Sequence, residues 1–322
     1  MKLPDNSHIL SYNEVLKIAV LIPCLNEEST IIKVVLDFKE VLPNADIFVY
    51  DNNSTDSTAD VARESGANVR SELLKGKGNV VRRMFADIES DIYVLVDGDD
   101  TYCASDVRKM IDTLIEEQLD MVNAARVAED RLAFRPGHQI GNHILTGLVR
   151  IFFGKQFNDL LSGFRVFSRR FVKSFPALSS GFEIETELSV HALELRMKVA
   201  EIESIYNTRP EGSTSKLNTV RDSLVILRLI LTLIKEERPF QFFSFVSIIL
   251  AVISVLLSLP IFYEYIETGL VPRFPTAILC SALMILSFLS FYAGLVLDTI
   301  TKARREIKRL HYLQLPIFQA RE

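Results

Sequence analysis

The sequence predicts an α/β domain over residues 1–215, an amphipathic juxtamembrane helix over 216–238, two transmembrane helices within 239–298 and a basic tail over 299–322. Three observations carry that prediction. Short β-branched apolar runs each stop at a cluster of polar residues, two later stretches of 24 residues hold no charge, and the charge divides unevenly along the chain.

The first apolar run, Ile18 to Ile22, is closed by Pro23 and the polar stretch Asn26 to Ser29, and a helical pattern follows from Thr30 to Val41. Ile47 to Tyr50 is a second strand, Asp51 to Asp56 a polar turn and Ser57 to Ser65 a helix. Val80 to Ile88 is helical, and Ile92 to Val96 is a third strand ending in Asp97. Such alternation implies a parallel sheet covered by helices, with ligands gathered at the carboxyl ends of the strands. The candidate residues are therefore the first polar ones after each strand: Pro23 to Glu27, Asp51 to Asp56, and Asp97 to Asp100. Asp97, Asp99 and Asp100 crowd three carboxylates into four residues, and these repel one another unless a cation neutralises them. A divalent metal is the simple solution. The competing reading is an acidic helix cap, with Asp100 or Thr101 opening the next helix.

Residues 1–215 hold 24 basic and 33 acidic side chains, a net of −9, whereas 216–238 and 298–322 carry +2 and +3. Phe240 to Tyr263 and Phe274 to Leu297 are the uncharged stretches, and about 20 apolar residues span a bilayer as helix. Lys235 and Arg238 precede the first span, and Lys302, Arg304, Arg305, Lys308 and Arg309 follow the second, so both flanks belong on the cytoplasmic side. Met1 to Leu10 has no apolar core of signal-peptide length, which keeps the acidic domain cytoplasmic, on the inner or plasma membrane. Arg221, Arg228 and Lys235 recur every seven residues along an apolar helix, a stripe suited to lipid headgroups or, alternatively, to solvent over a packed face. The net acidic domain argues against nucleic acid as a partner. The three cysteines, Cys24, Cys103 and Cys280, form neither a disulfide framework nor a CxxC site, and His138, His143 and His191 lack metal-ligand spacing.

The segments IAVLIPCLNEE, VYDNNSTDSTADVA and GKGNVVRRMFADIESDIYVLVDGDDTY, followed by NAARV, NDLLSGFRVFSRRF, GFEIETEL and RPEGSTSK, resemble family 2 inverting glycosyltransferases of the GT-A (Rossmann-like) fold. With two C-terminal spans, the chain is similar to the polyisoprenyl-phosphate glycosyltransferases, which include dolichyl-phosphate mannose synthases and bactoprenol glucosyltransferases. The likeness runs over residues 15–300. It implies a metal-dependent enzyme that moves one hexose or N-acetylhexosamine from a nucleotide-diphosphate sugar, a UDP-sugar or alternatively GDP-mannose, to undecaprenyl or dolichyl phosphate. It also implies a homo-oligomer. The absence of Trp removes the processive branch, which needs Q-x-x-R-W, while a non-catalytic scaffold subunit stays open as a reading.

The resemblance places Pro23, Asn26, Glu27, Asp51, Asn52, Lys77 and Asp97 beside the nucleotide sugar. Asn52 stands where the family pattern has Asp, and its amide oxygen could still accept from the base. Asp97 and Asp99 would hold Mg2+ or Mn2+, both hard, oxygen-seeking ions. The acceptor phosphate, already a dianion at neutral pH, needs positioning cations rather than a strong base. Arg126 and Arg135 fill that role by motif position, with Ser215 and Lys216 as weaker additions. Asp159 either orients the acceptor or caps a helix, and with Asp99, Arg126 and Arg135 it completes the catalytic candidates. Arg165, Glu183, Glu185 and Glu187 read first as a structural ion-pair network. The mixed basic and apolar character of Arg135 to Ile151 suits a helix resting on the membrane where the lipid acceptor enters.

Overall fold

The computed structural model describes residues 16–127, 146–147, 149–151, 154, 156–210 and 219–318. The chain divides into two compact units, Met1–Ile230 with Lys308–Glu322, and Leu231–Ile307.

In the first unit, β1 (Ile18–Cys24), α1 (Ile31–Val41), β2 (Asp46–Asp51), α2 (Thr58–Glu64), β3 (Asn68–Ser71), α3 (Lys77–Asp87) and β4 (Ile92–Leu95) alternate as the apolar runs require. After α4 (Asp106–Glu116) come β5 (Met121–Val127), β6 (Arg165–Ser168), α5 (Arg169–Ser174), α6 (Ile184–Glu194) and β7 (Val199–Ile205). The strands form one seven-stranded sheet in the order β3-β2-β1-β4-β6-β5-β7. β1 pairs in parallel with β2 and β4, as expected, but β6 runs antiparallel between β4 and β5. The sheet is therefore mixed rather than parallel. β1 and β4 are apolar throughout because both faces are covered, and their side chains join Val34, Val35, Phe38, Val107 and Met110 from α1 and α4 in one core. β3 is a short exposed edge.

The parallel register sets Cys24 opposite Asp51 and Leu21 opposite Leu95, so the turns after β1, β2 and β4 emerge along one edge. Each turn holds one non-glycine residue in the left-handed region: Asn26 at φ 52°, Asn53 at 60° and Asp100 at 57°. Backbone strain of this kind is tolerated best by Asn and Asp, and it clusters at functional edges. Asp100 and Thr101 do not open a helix; α4 starts at Asp106.

Residues 308–318 belong to this unit. The Tyr312 hydroxyl donates to the fully buried Asp120 carboxylate at 2.7 Å, and the Arg170 guanidinium, 2.9 Å from that carboxylate, lies 4.4 Å over the Tyr312 ring. Lys308 pairs with Glu194 at 3.0 Å.

The chain leaves the first unit within α7 (Thr219–Glu237) and re-enters it within α9 (Phe274–Gln314). α7 buries Ile226, Ile230 and Ile234 at four-residue spacing and exposes Arg228 and Lys235. In the second unit, α8 (Pro239–Thr268) and α9 meet through small polar side chains. The Ser287 hydroxyl donates to the Ser247 carbonyl at 2.9 Å, and the Ser254 hydroxyl to the Cys280 carbonyl at 2.8 Å. Such contacts suit helices whose surroundings are as apolar as they are. Phe245, Ile248, Val252, Phe262, Ile285 and Phe288 face outward. Both helices are long and apolar enough to cross a membrane. Each outruns its uncharged stretch, α9 continuing helical through the basic tail to Gln314.

Candidate active site

The edge formed by the three turns brings most of the predicted residues together. After β1, the Asn26 side-chain oxygen accepts from the Thr55 backbone amide at 2.7 Å and the Asn26 backbone amide donates to the Ser54 hydroxyl at 2.8 Å, lacing the first turn to the second. The Glu27 amide donates to Thr58 at 2.9 Å, which buries Glu27 at the head of α1. Pro23 is half-buried opposite Tyr50, and the buried Asp51 accepts from the Ser54 amide at 3.3 Å.

Asn52 is buried with its amide fully engaged. Its nitrogen donates to the Glu72 and Leu74 carbonyls at 2.8 Å each, and its oxygen accepts from the Gly76 amide at 2.6 Å. It thus ties the end of β2 to the loop that delivers Lys77. That loop lies against residues 178–181 so closely that a Cβ on Gly76 would stand 2.2 Å from the Ser180 carbonyl oxygen, and one on Gly78 2.2 Å from that of Ser179. Residues 178–181 are in turn held by Glu187, which accepts from the Leu178 and Ser179 amides at 2.9 and 2.8 Å, and by Glu183, which accepts from the Gly181 amide at 2.9 Å.

Lys77 is the first residue of α3 and is held out of solvent. Its side chain is only 7% exposed and its ammonium lies 2.5 Å from Asp97 and 2.6 Å from Glu185. Burial alone would lower its pKa, but the two carboxylates more than reverse that and raise it. Burial raises Glu185, against the pull of Lys77. Asp97 also abuts Gly163, where a Cβ would stand 2.1 Å from its Oδ2.

Asp99 accepts from the Thr101 hydroxyl at 2.6 Å and pairs with Arg209, while burial and the charge of Asp97 raise its pKa. Asp100 pairs with Lys33 at 2.6 Å. Each carboxylate of the acidic triplet therefore has a protein cation. Among the described residues no group of three or more His, Cys, Asp and Glu is arranged to hold a metal ion. The donor set nevertheless fits a hard ion of the Mg2+ type, which takes one or two carboxylates and fills its shell with phosphate oxygens and water.

Beyond Gly163 the site continues through Tyr102, whose hydroxyl accepts from the Gly163 amide at 2.8 Å. Arg126 and Asp159 form a two-pronged pair, with Nε and Nη2 donating to the two carboxylate oxygens at 2.7 and 2.8 Å. Burial would raise Asp159, but Arg126 reverses this and holds it below the usual carboxylate range. Asp159 also accepts from the Leu161 amide at 3.1 Å, so it orders the turn before Gly163 rather than a helix end. Arg165 is scaffold as expected, though through oxygen atoms other than the glutamates': it donates to the Ser162 and Leu160 carbonyls at 3.0 and 2.8 Å and to the Ser189 hydroxyl at 2.9 Å. Arg135, Ser215 and Lys216, and the greater part of the helix expected over 135–151, lie outside the described residues.

Two residues at this site escape the sequence reading. Glu185 belongs with Lys77 rather than with Glu183 and Glu187. On a helix Glu183 and Glu187 share a face while Glu185 points away, so the EIETE spacing holds that signal. Arg209 opens the RPEGSTSK segment, but nothing local announces that it reaches Asp99 across 110 residues of sequence.

Residues 19–175 match the profile of glycosyl transferase family 2. The chain is 31% identical to glycosyltransferase AglJ of Haloferax volcanii over 304 residues, 92% of this chain and 98% of that one. It is 24% identical over 221 residues to a dolichyl-phosphate hexose transferase of the same organism, covering 69% of this chain and 95% of the relative. The crystal structure of glucosyl-3-phosphoglycerate synthase from Mycobacterium tuberculosis in complex with Mn2+, UDP and glucosyl-3-phosphoglycerate aligns with a TM-score of 0.59 at 22% identity, over 73% of this chain and 85% of that one, a likeness of fold. By this relationship and by its mixed sheet, the chain belongs to glycosyl transferase family 2, enzymes that use nucleotide-sugar donors.

Proposed function

We propose that the protein transfers a single hexose or N-acetylhexosamine from a nucleotide-diphosphate sugar to a polyisoprenyl phosphate at the cytoplasmic face of the membrane, with inversion at the anomeric carbon. One observation carries the reading: a strand-end cluster of Asp97, Asp99 and Lys77 occurs in a chain that also bears two helices apolar enough to cross a bilayer. The similarity to a dolichyl-phosphate hexose transferase supports a lipid phosphate acceptor, and the Mn2+ and UDP of the glucosyl-3-phosphoglycerate synthase structure support the donor and the ion.

Pro23, Asn26, Glu27 and Asp51 line the edge that takes the nucleoside, and Asn52 serves it by holding the loop of Lys77. Asp97 and Asp99 would hold Mg2+ or Mn2+, which when bound offsets the charge that develops on the leaving nucleoside diphosphate. Lys77 fixes Asp97 from behind. The acceptor phosphate brings its own negative oxygen as nucleophile, so orientation is the main demand on the protein. Arg135, Ser215 and Lys216 are assigned to that phosphate. Arg126 already carries a carboxylate partner, and we assign the Arg126–Asp159 pair to shaping the acceptor side of the site.

The test is a panel of labelled UDP-, GDP- and dTDP-sugars offered to the purified protein with undecaprenyl or dolichyl phosphate, with Mg2+, Mn2+ or chelator. One donor should yield a lipid-linked sugar phosphodiester, abolished by chelator. Transfer to soluble acceptors alone, or full transfer under chelator, would overturn the acceptor or the metal assignment respectively.

A further inference from the structure

The three cations that neutralise the acidic triplet are held in different ways. Lys33 on Asp100 is an exposed surface partner, 61% open to solvent. Lys77 is built in, out of water between Asp97 and Glu185, at the start of α3, which Gly76 and Gly78 let pack against the 179–180 carbonyls. Arg209 follows a segment anchored where the Asn207 amide donates to the Thr101 carbonyl at 2.8 Å and Tyr206 pairs with Tyr102. Its side chain is 28% exposed while Asp99 is 4% exposed.

Both oxygens of Asp99 are engaged, Oδ1 by the Thr101 hydroxyl and Oδ2 by Arg209. The hydroxyl can stay when a cation arrives at Oδ1, but a guanidinium on the neighbouring oxygen repels that cation. Charge counting points the same way. Asp97, Asp99 and Glu185 bring three negative charges, and Lys77 and Arg209 two positive, leaving one negative charge for an incoming ion. Without Arg209 it would meet two.

We infer that Arg209 is a resident counter-ion of Asp99 that opposes a divalent cation, so that the bare site binds the ion weakly and loads it together with a diphosphate, which draws the guanidinium away. Displacement costs Arg209 its carboxylate partner. A diphosphate offers the released guanidinium a new one, because arginine engages phosphate oxygens as readily as carboxylates. Ion and nucleotide then favour each other's binding, as any two ligands must when each relieves the cost of the other. This inference rests on the metal reading of the proposed function.

The test measures binding rather than turnover. Mn2+ is titrated into the full-length protein in detergent, with free Mn2+ followed by electron paramagnetic resonance, in the presence and absence of UDP. Wild type should bind weakly alone and tighter with UDP. Arg209→Ala should bind Mn2+ alone about tenfold tighter or more than wild type, the lower end of what one added unit charge about 4 Å away supplies when fully screened by water, and the gain from UDP should shrink by a similar factor. Arg209→Lys, which keeps the charge, should stay close to wild type. A variant that merely damaged the site would lose affinity rather than gain it. Affinity in Arg209→Ala equal to or weaker than wild type without UDP would overturn the inference while leaving the metal assignment intact. Absence of Mn2+ binding to every form, with UDP present, would overturn both.

Discussion

Replacing Asp159 by asparagine keeps the outline of the side chain and removes its charge, which makes it a sharp probe of the pair it forms with Arg126. The two side chains are 9% and 15% exposed, and the guanidinium meets both carboxylate oxygens within 2.8 Å. Removing one partner of a buried pair strands the other charge, at a cost of roughly 3–5 kcal/mol. In a folded unit of this size each kcal/mol moves the melting temperature by about 2–4 °C, so Asp159→Asn should melt roughly 6–20 °C below wild type. Arg126→Met should cost a similar amount by stranding the carboxylate. The double variant Arg126→Met/Asp159→Asn should lose much less than the sum, because neither charge is left behind. Melting followed by circular dichroism at 222 nm in detergent gives all four values. Because the folded-state pKa of Asp159 is depressed, its contribution is fully present above the ordinary carboxylate value of about 3.9 and is lost only as pH falls below it, so melts at neutral pH see the whole effect. Single variants within about 1 kcal/mol of wild type, or strictly additive losses, would refute the claim that the pair is a structural unit.

A Cβ at Gly163 would stand 2.1 Å from Asp97 Oδ2, so Gly163→Ala should push that carboxylate off Lys77 and lower activity by about tenfold or more, with overpacking costing roughly 1–3 kcal/mol of stability; unchanged turnover would place Asp97 outside the reaction. Asn52→Asp turns the amide that donates to two carbonyls into an anion facing them, so hydrogen exchange at 72–77 should accelerate and the donor KM should rise about tenfold or more, from the loss of one to two net hydrogen bonds. Unaltered exchange there would remove Asn52 from loop positioning. His191, packed against Phe171 and Phe175, has its pKa pushed down to about 3, chiefly by burial and secondarily by Lys308. It stays neutral when folded while the unfolded chain takes up a proton, so stability should fall by about 1.4 kcal/mol per pH unit as pH drops below about 6.5, until the folded value is reached. His191→Gln should flatten that slope between pH 7.5 and pH 5, and parallel slopes in the two proteins would contradict it.

β1 and β4 were legible because a strand covered on both faces must be apolar throughout, β2 from its apolar run Ile47 to Tyr50, and each stops abruptly at polar residues. β6 was not, because its first residue is a fully buried arginine satisfied by carbonyls, and its antiparallel position between β4 and β5 is fixed by pairing across long sequence separations. β3 hides for the opposite reason, an exposed edge of Asn, Val, Arg and Ser without alternation. At the site, the turns after β1, β2 and β4 could be listed from local pattern alone, since parallel strands bring their carboxyl ends together. Glu185 and Arg209 could not, because their partners lie 108 and 110 residues away. The sequence reading supplied the need for a cation beside the triplet, and the fold answers it with Lys77, Arg209 and Lys33.

The docking of residues 308–318 on the α/β unit bears on how the protein is made. A ribosome delivers the chain from its N-terminus, and domains usually close as they emerge. Here the hydroxyl that reaches the buried Asp120 carboxylate belongs to Tyr312, which follows both uncharged stretches in the chain, and Phe318 packs against the main core. Both apolar helices must therefore be synthesised before the catalytic unit receives its last parts. Completion of the enzyme is deferred until the hairpin has left the ribosome, and a nascent chain stalled within either helix carries an α/β unit whose Asp120 still lacks its final donor.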